Sequence, residues 1–346
     1  MAYIPGLFDQ RKLIQAVRQI PPTYNFLTST FFETGTEFTT ETVEAQFKKS
    51  QKKLAPYVSP LQPGKVVLRD GYQVDFYKPA LIKPARPITA IDLQQKQFGE
   101  DPYSDISPEQ RAREMLATDL DELLSMIDRR IEQQCAEVLT TGKLVQIGEG
   151  VENIVDYGFT NRVTLSGTDL WSNPAAKILA NIRTWRLSII QKTGITPDWM
   201  IVASDVTDFM INNPEIKDLL DIRRYEFGRV EPRQLPNGVT YVMTIASLGI
   251  DVYNYDETYV ADGSEDLIPM IPSGTVLLLS SRVKNKIHYG SNIITDLSRG
   301  TLVNTRGAKT PQSWVTPEPA QRWLQVLSRP LPLPYDVDAW YVAKVL

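Results

Sequence analysis

Hydrophobic periodicity along the chain predicts one dominant helix at residues 108–141. Its apolar positions recur at steps of three and four, as expected for one helical face: Leu116, Leu120, Leu123, Ile127, Ile131, Cys135 and Val138. Ser107 can cap the start, Pro108 suits the first turn, Gln110 completes a capping-box pattern, and Gly142 is a natural terminator. At 1.5 Å per residue such a helix is about 50 Å long. This length predicts a structural spine.

The pattern after this helix changes to short strands mixed with helices. Residues 143–166 predict a β-ribbon that turns at Gly148-Glu149-Gly150, and residues 174–193 predict a second helix capped by Asn173. Ser204 is expected to cap a short third helix. Strands are predicted at 199–203, 239–245, 250–255 and 276–280. The sequence therefore predicts a mixed α/β unit with a central sheet at roughly residues 173–302.

A hairpin is predicted at residues 64–78, before the long helix. Asp70-Gly71 is a type I′ turn signal, and Tyr72, Val74 and Phe76 alternate with polar residues after it. An isolated two-stranded hairpin is marginal in water. Its apolar side chains therefore need a partner, and the sequence leaves open whether that is its own domain or another subunit.

Both ends of the chain are rich in proline. Residues 1–110 hold eleven prolines and residues 311–346 hold six, of 24 in the chain. Because proline fixes φ and lacks an N–H, these ends are expected to be extended and irregular. A weak helical stretch within residues 4–20, ended by Pro21-Pro22, precedes an apolar stretch at 26–38.

The amino-acid composition argues against most common kinds of catalytic site. The chain has 346 residues, 42% of them apolar, a formal net charge of −4, one histidine and one cysteine. These values exclude collagen, a coiled-coil rod, wholesale disorder, disulfide frameworks and multi-cysteine metal sites. Cys135 falls on an apolar stripe and is interpreted as a core residue. An enzyme would have to use His288, which is more often a structural residue when it stands alone. No cofactor, metal or catalytic residue is predicted, and no apolar run is long enough to span a membrane.

Charge is segregated along this near-neutral chain. Residues 48–86 hold nine basic and two acidic residues, a net charge of +7, whereas residues 251–266 hold six acids and no base. We expect the basic segment of one copy to meet an acidic surface of another, either the helix 108–141 or the 251–266 segment. Asp119, Asp121 and Glu122 are interpreted as a solvated face of that helix. The candidate inter-subunit contacts are Lys48, Lys49, Lys52, Lys53, Arg69, Tyr72, Val74, Phe76, Arg223 and Arg224.

Short motifs along most of the chain resemble the lambda E-protein family of tailed-phage major capsid proteins. In order they are Phe31-Phe32, Phe38-Thr39-Thr40-Glu41 with Val43, Tyr57-Val58-Ser59-Pro60, Lys83-Pro84, Leu139 with Gly142-Lys143, Asp221-x-Arg223-Arg224, Trp314-Val315-Thr316, Pro319-Ala320, Ser328-x-Pro330-Leu331 and Asp336-x-Asp338. Each is weak alone, and their order and spacing carry the resemblance.

The resemblance implies the Hong Kong 97-type (HK97-like) capsid fold, an α+β architecture. It implies an N-terminal arm at 1–40, an extended loop (E-loop) at 41–97, and a peripheral domain at 98–172 that contains the spine helix. An axial α/β domain would occupy 173–302. The C-terminal strands at 303–346 would return to the peripheral domain.

The resemblance also implies a function, that of a virion capsid protein assembled in the host cytoplasm. Copies would form pentamers and hexamers of an icosahedral shell around double-stranded DNA, without sequence-specific DNA binding or a membrane. Because the chain starts directly with the arm, a separate scaffolding protein is expected, with a portal and, in some relatives, a decoration protein. Some shells of this fold crosslink through an E-loop lysine, for which Lys65 and the lysines at 48–53 are available without a readable partner. The alternative is another virion protein, such as a tail-tube protein.

Overall fold

The computed structural model describes residues 10–20, 25–48, 55, 57, 63, 72–95, 107–217, 234–235, 238–283, 285–296, 301–319 and 321–346. Its helices are α1 Gln10–Gln19, α2 Phe26–Phe31, α3 Ala90–Gln94, α4 Pro108–Thr141, α5 Ile178–Thr193 and α6 Ser204–Asn212. One further helical turn follows at 214–217.

The strands are short and numerous. They are β1 Phe32–Glu37, β2 Val43–Lys48, β3 Tyr72–Tyr77, β4 Ala85–Thr89, β5 Lys143–Gly148, β6 Val151–Asp156, β7 Arg162–Thr164, β8 Trp199–Val202, β9 Gln234–Leu235, β10 Val239–Ile245, β11 Ile250–Tyr255, β12 Thr258–Val260, β13 Leu267–Pro269, β14 Thr275–Leu279, β15 Asn285–Tyr289, β16 Asn292–Asp296, β17 Thr301–Thr305, β18 Thr310–Thr316, β19 Gln321–Leu327, β20 Pro330–Leu333 and β21 Tyr341–Lys344.

Helix α4 matches the predicted spine residue for residue. The Gln110 N–H donates to the Ser107 side chain at 3.3 Å, and Gly142 ends the helix in the left-handed region at φ 70°. The predicted apolar stripe is buried throughout, and Cys135 is fully buried. The prediction of Cys135 as a core residue is confirmed. Burial of this continuous stripe makes α4 the element on which the other layers pack.

A seven-stranded mixed sheet forms the largest sheet of the described residues, in the order β7-β21-β14-β8-β11-β10-β9. Strand β8 lies near its centre, parallel to β11 and antiparallel to β14. The predicted strands at 199–203, 239–245, 250–255 and 276–280 are confirmed within one residue at each end. Strands β7 and β21 lie outside residues 173–302, so the sheet extends beyond the expected α/β unit at one edge.

The predicted hairpin at 64–78 is described only in its second half, strand β3. Strand β3 pairs antiparallel with β2, so Val43 lies opposite Tyr77 and Lys48 opposite Tyr72. The strand expected at 66–68 and its Asp70-Gly71 turn lie outside the described residues. The pairing predicted within 64–78 therefore stays a prediction, whereas the observed partner β2 lies 24 or more residues earlier and carries no local turn signal.

The first forty residues are less extended than the proline content predicts. Helices α1 and α2 occupy much of this segment, and Leu13, Phe26, Leu27 and Phe31 are buried in the chain's own core. Phe26 contacts the rings of Trp199, Tyr253 and Tyr255. The described residues 10–20 and 25–40 contain no proline, and burial of their apolar side chains makes α2 and β1 part of the body of the subunit.

The C-terminal strands build two smaller sheets around α4. Strands β18, β19 and β4 form one sheet and β1, β15 and β20 another. The predicted strands near 323–327 and 340–345 are confirmed as β19 and β21. In the first sheet the base of the E-loop is hydrogen-bonded to the C-terminal part of the chain, because β4 pairs with β19 along five residues.

Three predicted boundaries shift. Helix α5 begins at Ile178, not 174, and Lys177 is its N-cap residue, while Asn173 accepts from the Ala175 N–H in the preceding turn. Ser204 is the first residue of α6, not its cap. The ribbon β5–β6 turns at 148–150 as predicted but ends at Asp156, because β7 joins the large sheet.

Candidate functional site

The predicted contact residues that the structure describes lie on β2 and β3, two strands of the segment 41–97 for which we keep the expected name E-loop. Lys48 ends β2, and Tyr72, Val74 and Phe76 lie on β3, so the structure brings these four positions into one two-stranded ladder. The Phe76 side chain is 70% exposed. The other six candidates, Lys49, Lys52, Lys53, Arg69, Arg223 and Arg224, lie outside the described residues.

The base of the E-loop is fixed to its own subunit. Glu41 forms ion pairs with Lys78 at 2.8 Å and Arg329 at 3.2 Å, and these cations lower the pKa of the Glu41 carboxyl. The Ala80 N–H donates to Gln146 Oε1 at 2.9 Å. Because both strands are anchored at one end, the apolar face with Phe76 projects from a defined base.

The expectation of a solvated acidic face at Asp119 and Glu122 is wrong in part. Arg86 Nη1 lies 2.7 Å from Asp119 Oδ1 and 2.5 Å from Glu122 Oε2. The Asp119 side chain is only 10% exposed. Hydrogen bonds to Asp119 and Glu122 raise the pKa of the Arg86 guanidinium. One cation of the basic segment is therefore already paired with the spine helix of its own chain, whereas Asp121 stays exposed.

A buried carboxylate that the sequence did not reveal joins three parts of the molecule. Glu132 of α4 is 1% exposed. Its Oε1 accepts from the Leu27 N–H at 2.7 Å and the Tyr255 hydroxyl at 2.9 Å, and its Oε2 accepts from the Thr28 N–H at 2.9 Å and the Thr28 hydroxyl at 2.5 Å. The spine helix, the start of α2 and strand β11 therefore meet at one side chain.

The protonation of Glu132 is set by two opposing effects. Burial raises the pKa of the Glu132 carboxyl, and the hydrogen bonds from Thr28, Leu27 and Tyr255 oppose that rise because they favour the ionised form. The periodicity of α4 could have indicated this position, because Glu132 follows Ile131 on the buried side of the helix. Its donors come from distant residues, which periodicity cannot identify.

His288 lies within the sheet β1-β15-β20 and has a structural environment. Its Nδ1 accepts the Thr36 N–H at 3.0 Å, and its ring packs against Phe38. Burial and the nearby Lys286 lower the pKa of His288, so the neutral ring that this hydrogen bond requires is favoured. A Cβ on Gly35 would lie 2.9 Å from Nδ1, so glycine permits this close packing.

The acidic segment 251–266 is part of strands β11 and β12 and the turn after them. Asp251 accepts from the Thr244 hydroxyl at 2.5 Å and Asp256 from the Asn254 amide at 2.9 Å. Across the described residues, no group of three or more His, Cys, Asp or Glu side chains is arranged to hold a metal ion. Within the same ranges, no helix combines the length and apolar composition needed to cross a bilayer.

Apolar side chains remain exposed on the projecting hairpins. Ile147 and Ile154 of the ribbon β5–β6 are 65% and 56% exposed, and Leu267 of β13 and Leu302 of β17 are 71% and 75% exposed. Exposed apolar patches on several projecting elements mark protein interaction surfaces. A long spine helix, an anchored two-stranded loop and a mixed sheet with such surfaces define a structural protein of the HK97-like α+β fold.

The chain belongs to the phage major capsid protein E family, whose model matches residues 9–345. It is 25% identical over 324 residues to the major capsid protein of Escherichia phage lambda, covering 89% of this chain and 90% of the relative. It is 26% identical over 352 residues to the major capsid protein of Enterobacteria phage P21, covering 98% and 99%. The resemblance found in the sequence motifs is confirmed.

Solved structures support the fold. A crystal structure of a protein assigned as the capsid protein of a prophage in Escherichia coli CFT073 matches with a TM-score of 0.73 at 19% identity, covering 98% of this chain and 99% of that one. A phage-related protein of Bordetella bronchiseptica RB50 matches with a TM-score of 0.57 at 12% identity, covering 96% of both chains. As a major capsid protein, the chain is a component of the virion shell.

Proposed function

We propose that copies of this chain assemble into the pentamers and hexamers of an icosahedral shell that encloses the double-stranded DNA genome. Assembly begins in the host cytoplasm on a separate scaffolding protein and includes a portal, and the shell then expands as DNA is packaged. A decoration protein on the outer surface is a further partner. The role is structural, with no reaction catalysed by the chain.

The observation that carries this proposal is the similarity to lambda-type major capsid proteins over nearly the whole chain. The single subunit supports it in physical terms. Strand β3 exposes Phe76, and the ribbon exposes Ile147 and Ile154, which the subunit's own core does not cover. Burying such faces between copies supplies the association free energy that a shell requires.

The E-loop has one favoured partner among the acidic surfaces. The first part of α4 exposes Glu109, Glu114 and Asp121, with Arg113 as an exposed base, while Glu122 is paired with Arg86 of its own chain. The 251–266 segment is partly engaged in its own hydrogen bonds. We therefore place the basic E-loop of one copy against the first half of α4 in its neighbour, where charge complementarity steers association more than it adds stability.

Co-expression with a scaffolding protein tests the proposal. Sedimentation and light scattering are expected to show closed particles or capsomers of uniform size. A protein that stays monomeric under all conditions would contradict a shell role, and stacked rings would assign the chain to a tail tube. His288→Ala distinguishes a shell protein from an enzyme. A shell protein is expected to form normal particles with this variant, whereas an enzyme that uses His288 would lose its activity.

A further inference from the structure

A groove of about 400 Å³ lies on the side of α4, away from the buried stripe. Met126, Arg129 and Arg130 of the helix line one wall. Ile82 from the base of the E-loop and the hairpin β12–β13 form the rest. We call this the α4 groove. Three elements that are separate in sequence therefore build one concave surface.

The α4 groove combines an apolar floor with a rim of two arginines and one carboxylate, that of Asp262, so the rim is net basic. Met126 and Val260 are 49% and 51% exposed, although both border the groove. Arg129 and Arg130 are exposed, and Arg130 donates only a long hydrogen bond of 3.4 Å to Gln133. Within the described part of the chain, neither arginine forms an ion pair. A partner for this groove must supply aliphatic side chains together with carboxylates.

The ribbon β5–β6 presents that combination. Val145 lies directly opposite Ile154 in the antiparallel register, and Ile147 lies diagonally beside them on the same face. The opposite face, with Leu144 and Val155, is buried against the body. Glu149 at the turn and Glu152 at the start of β6 are exposed, with no basic residue among positions 144–155.

We propose that the ribbon β5–β6 of one copy docks into the α4 groove of a neighbouring copy. Ile147 and Ile154 then cover Met126 and the apolar floor, while Glu149 and Glu152 face the two arginines. The basic segment 48–86 fits this site poorly, because it carries a net charge of +7 and would meet arginines. This inference rests on the proposed assembly into a shell.

The geometry of the contact has a consequence for assembly. The ribbon and the groove are different surfaces of the same chain, so the contact is head-to-tail and each copy offers both halves. Such heterologous contacts close into rings when the rotation between copies is a simple fraction of a turn. The contact therefore links subunits cyclically, as capsomers require.

Disulfide trapping tests the contact in assembled particles. Ile147→Cys and Met126→Cys are combined in one chain, both at exposed positions, while the native Cys135 is fully buried. Particles are oxidised and run on a non-reducing gel. We expect a ladder of covalent oligomers, about tenfold stronger than for the control pair Val315→Cys with Met126→Cys, since a disulfide requires close approach of the two Cβ atoms.

The gel distinguishes the possible failures. Oxidised particles that run only as monomers, including internally bridged monomers, would overturn the proposed contact. So would a ladder of equal strength in the control. Particles without a ladder overturn the contact alone, whereas a chain that forms neither particles nor capsomers overturns the shell function and this contact with it.

Charge exchange gives an independent measurement. Arg129→Glu with Arg130→Glu should slow particle formation by about tenfold, because four carboxylates then face one another. Adding Glu149→Arg and Glu152→Arg to the same chain should restore most of the rate. Lys177→Glu with Arg183→Glu, an equal charge change on the exposed surface of α5, serves as the control. No rescue, or loss of scaffold binding in its place, would overturn the proposal.

Discussion

At the scale of single residues, Glu132 illustrates how one side chain can hold distant segments together. Its two carboxylate oxygens accept four hydrogen bonds from Leu27, Thr28 and Tyr255. A buried carboxylate without such donors would be strongly destabilising, whereas here each lone-pair direction is used. The side chain therefore makes the docking of α2 against α4 and β11 specific.

Replacing this carboxylate should weaken the fold. In Glu132→Gln one oxygen becomes an NH₂ group that faces donors, so we expect a loss of about 1–3 kcal/mol in the free energy of unfolding at pH 7. Denaturant titration of the purified chain measures this loss. Asp121→Asn makes the same kind of acid-to-amide change at an exposed position of α4 and serves as a control.

The stability difference between wild type and Glu132→Gln should change with pH in a defined direction. Because the pKa of Glu132 is raised in the folded state, its contribution to stability is full below the unfolded value of 4.5 and is lost as pH rises through the folded pKa. Wild type should therefore gain stability relative to Glu132→Gln as pH is lowered from 7 towards 4.5. A difference that is constant over this window would contradict the assignment.

Residue-level prediction from sequence succeeded where the signal is local. Cys135 falls on a stripe of apolar residues at helical spacing, and it is buried. Asp119 was assigned to a solvated face because its partner, Arg86, is 33 positions away and reaches it through the fold. Periodicity reports which face is buried, and it carries no information about which distant cation neutralises an acid.

At the scale of elements, the end of the spine helix depends on Gly142. Its φ is 70°, and a Cβ there would lie 2.2 Å from the Phe159 Cβ. Gly150 in the ribbon turn has nearly the same φ, 71°, with nothing within 4 Å of its Cβ position. At Gly150 an added Cβ would cause backbone strain alone, whereas at Gly142 it would cause the same strain and also crowd Phe159.

Alanine at these two positions should differ in cost. Gly150→Ala should lower the free energy of unfolding by about 1 kcal/mol through left-handed strain alone. Gly142→Ala should cost about 2–4 kcal/mol, since the clash with Phe159 adds to the same strain. Chemical denaturation of both variants makes the comparison, and equal losses would show that the contact with Phe159 is unimportant.

The link between the E-loop base and α4 is testable in the same way. Arg86→Gln leaves Asp119, whose side chain is 10% exposed, without its cation. We expect a loss of about 1–2 kcal/mol in stability, reduced by the partial exposure of Arg86. Lys83→Gln, at an exposed position of the same segment, should change stability little. A similar effect of both changes would refute an important Arg86–Asp119 pair.

Helices and strands could be predicted from the sequence when the residues that determine them lie close together in the chain. Helix α4 carries its cap, its stripe and its terminator within 36 consecutive residues, from Ser107 to Gly142, and the structure reproduces each. Strand β3 was assigned correctly, whereas its pairing with β2 was not foreseen, because β2 lies before a long intervening segment. Burial of Phe26 and Phe31 likewise depends on aromatic rings from β8 and β11.

At the scale of the whole molecule, charge segregation is the feature that bears on assembly. Residues 48–86 within the E-loop have a net charge of +7 in a chain whose total is −4. We expect Lys52→Glu with Lys53→Glu to slow assembly, and more at low salt than at high salt, because salt screens exposed charges. Lys52→Arg with Lys53→Arg keeps the charge and should assemble normally. A rate independent of both charge and salt would contradict E-loop steering.

The most direct test of the shell assignment is a cryo-electron microscopy map of the particle formed by the co-expressed chain and scaffold. The account predicts a closed icosahedral shell of pentamers and hexamers, with α4 visible in every subunit as a rod about 50 Å long. Each E-loop should lie over the first half of α4 in a neighbouring copy. Open tubes, stacked rings, or subunits whose E-loops touch only their own chain would contradict it.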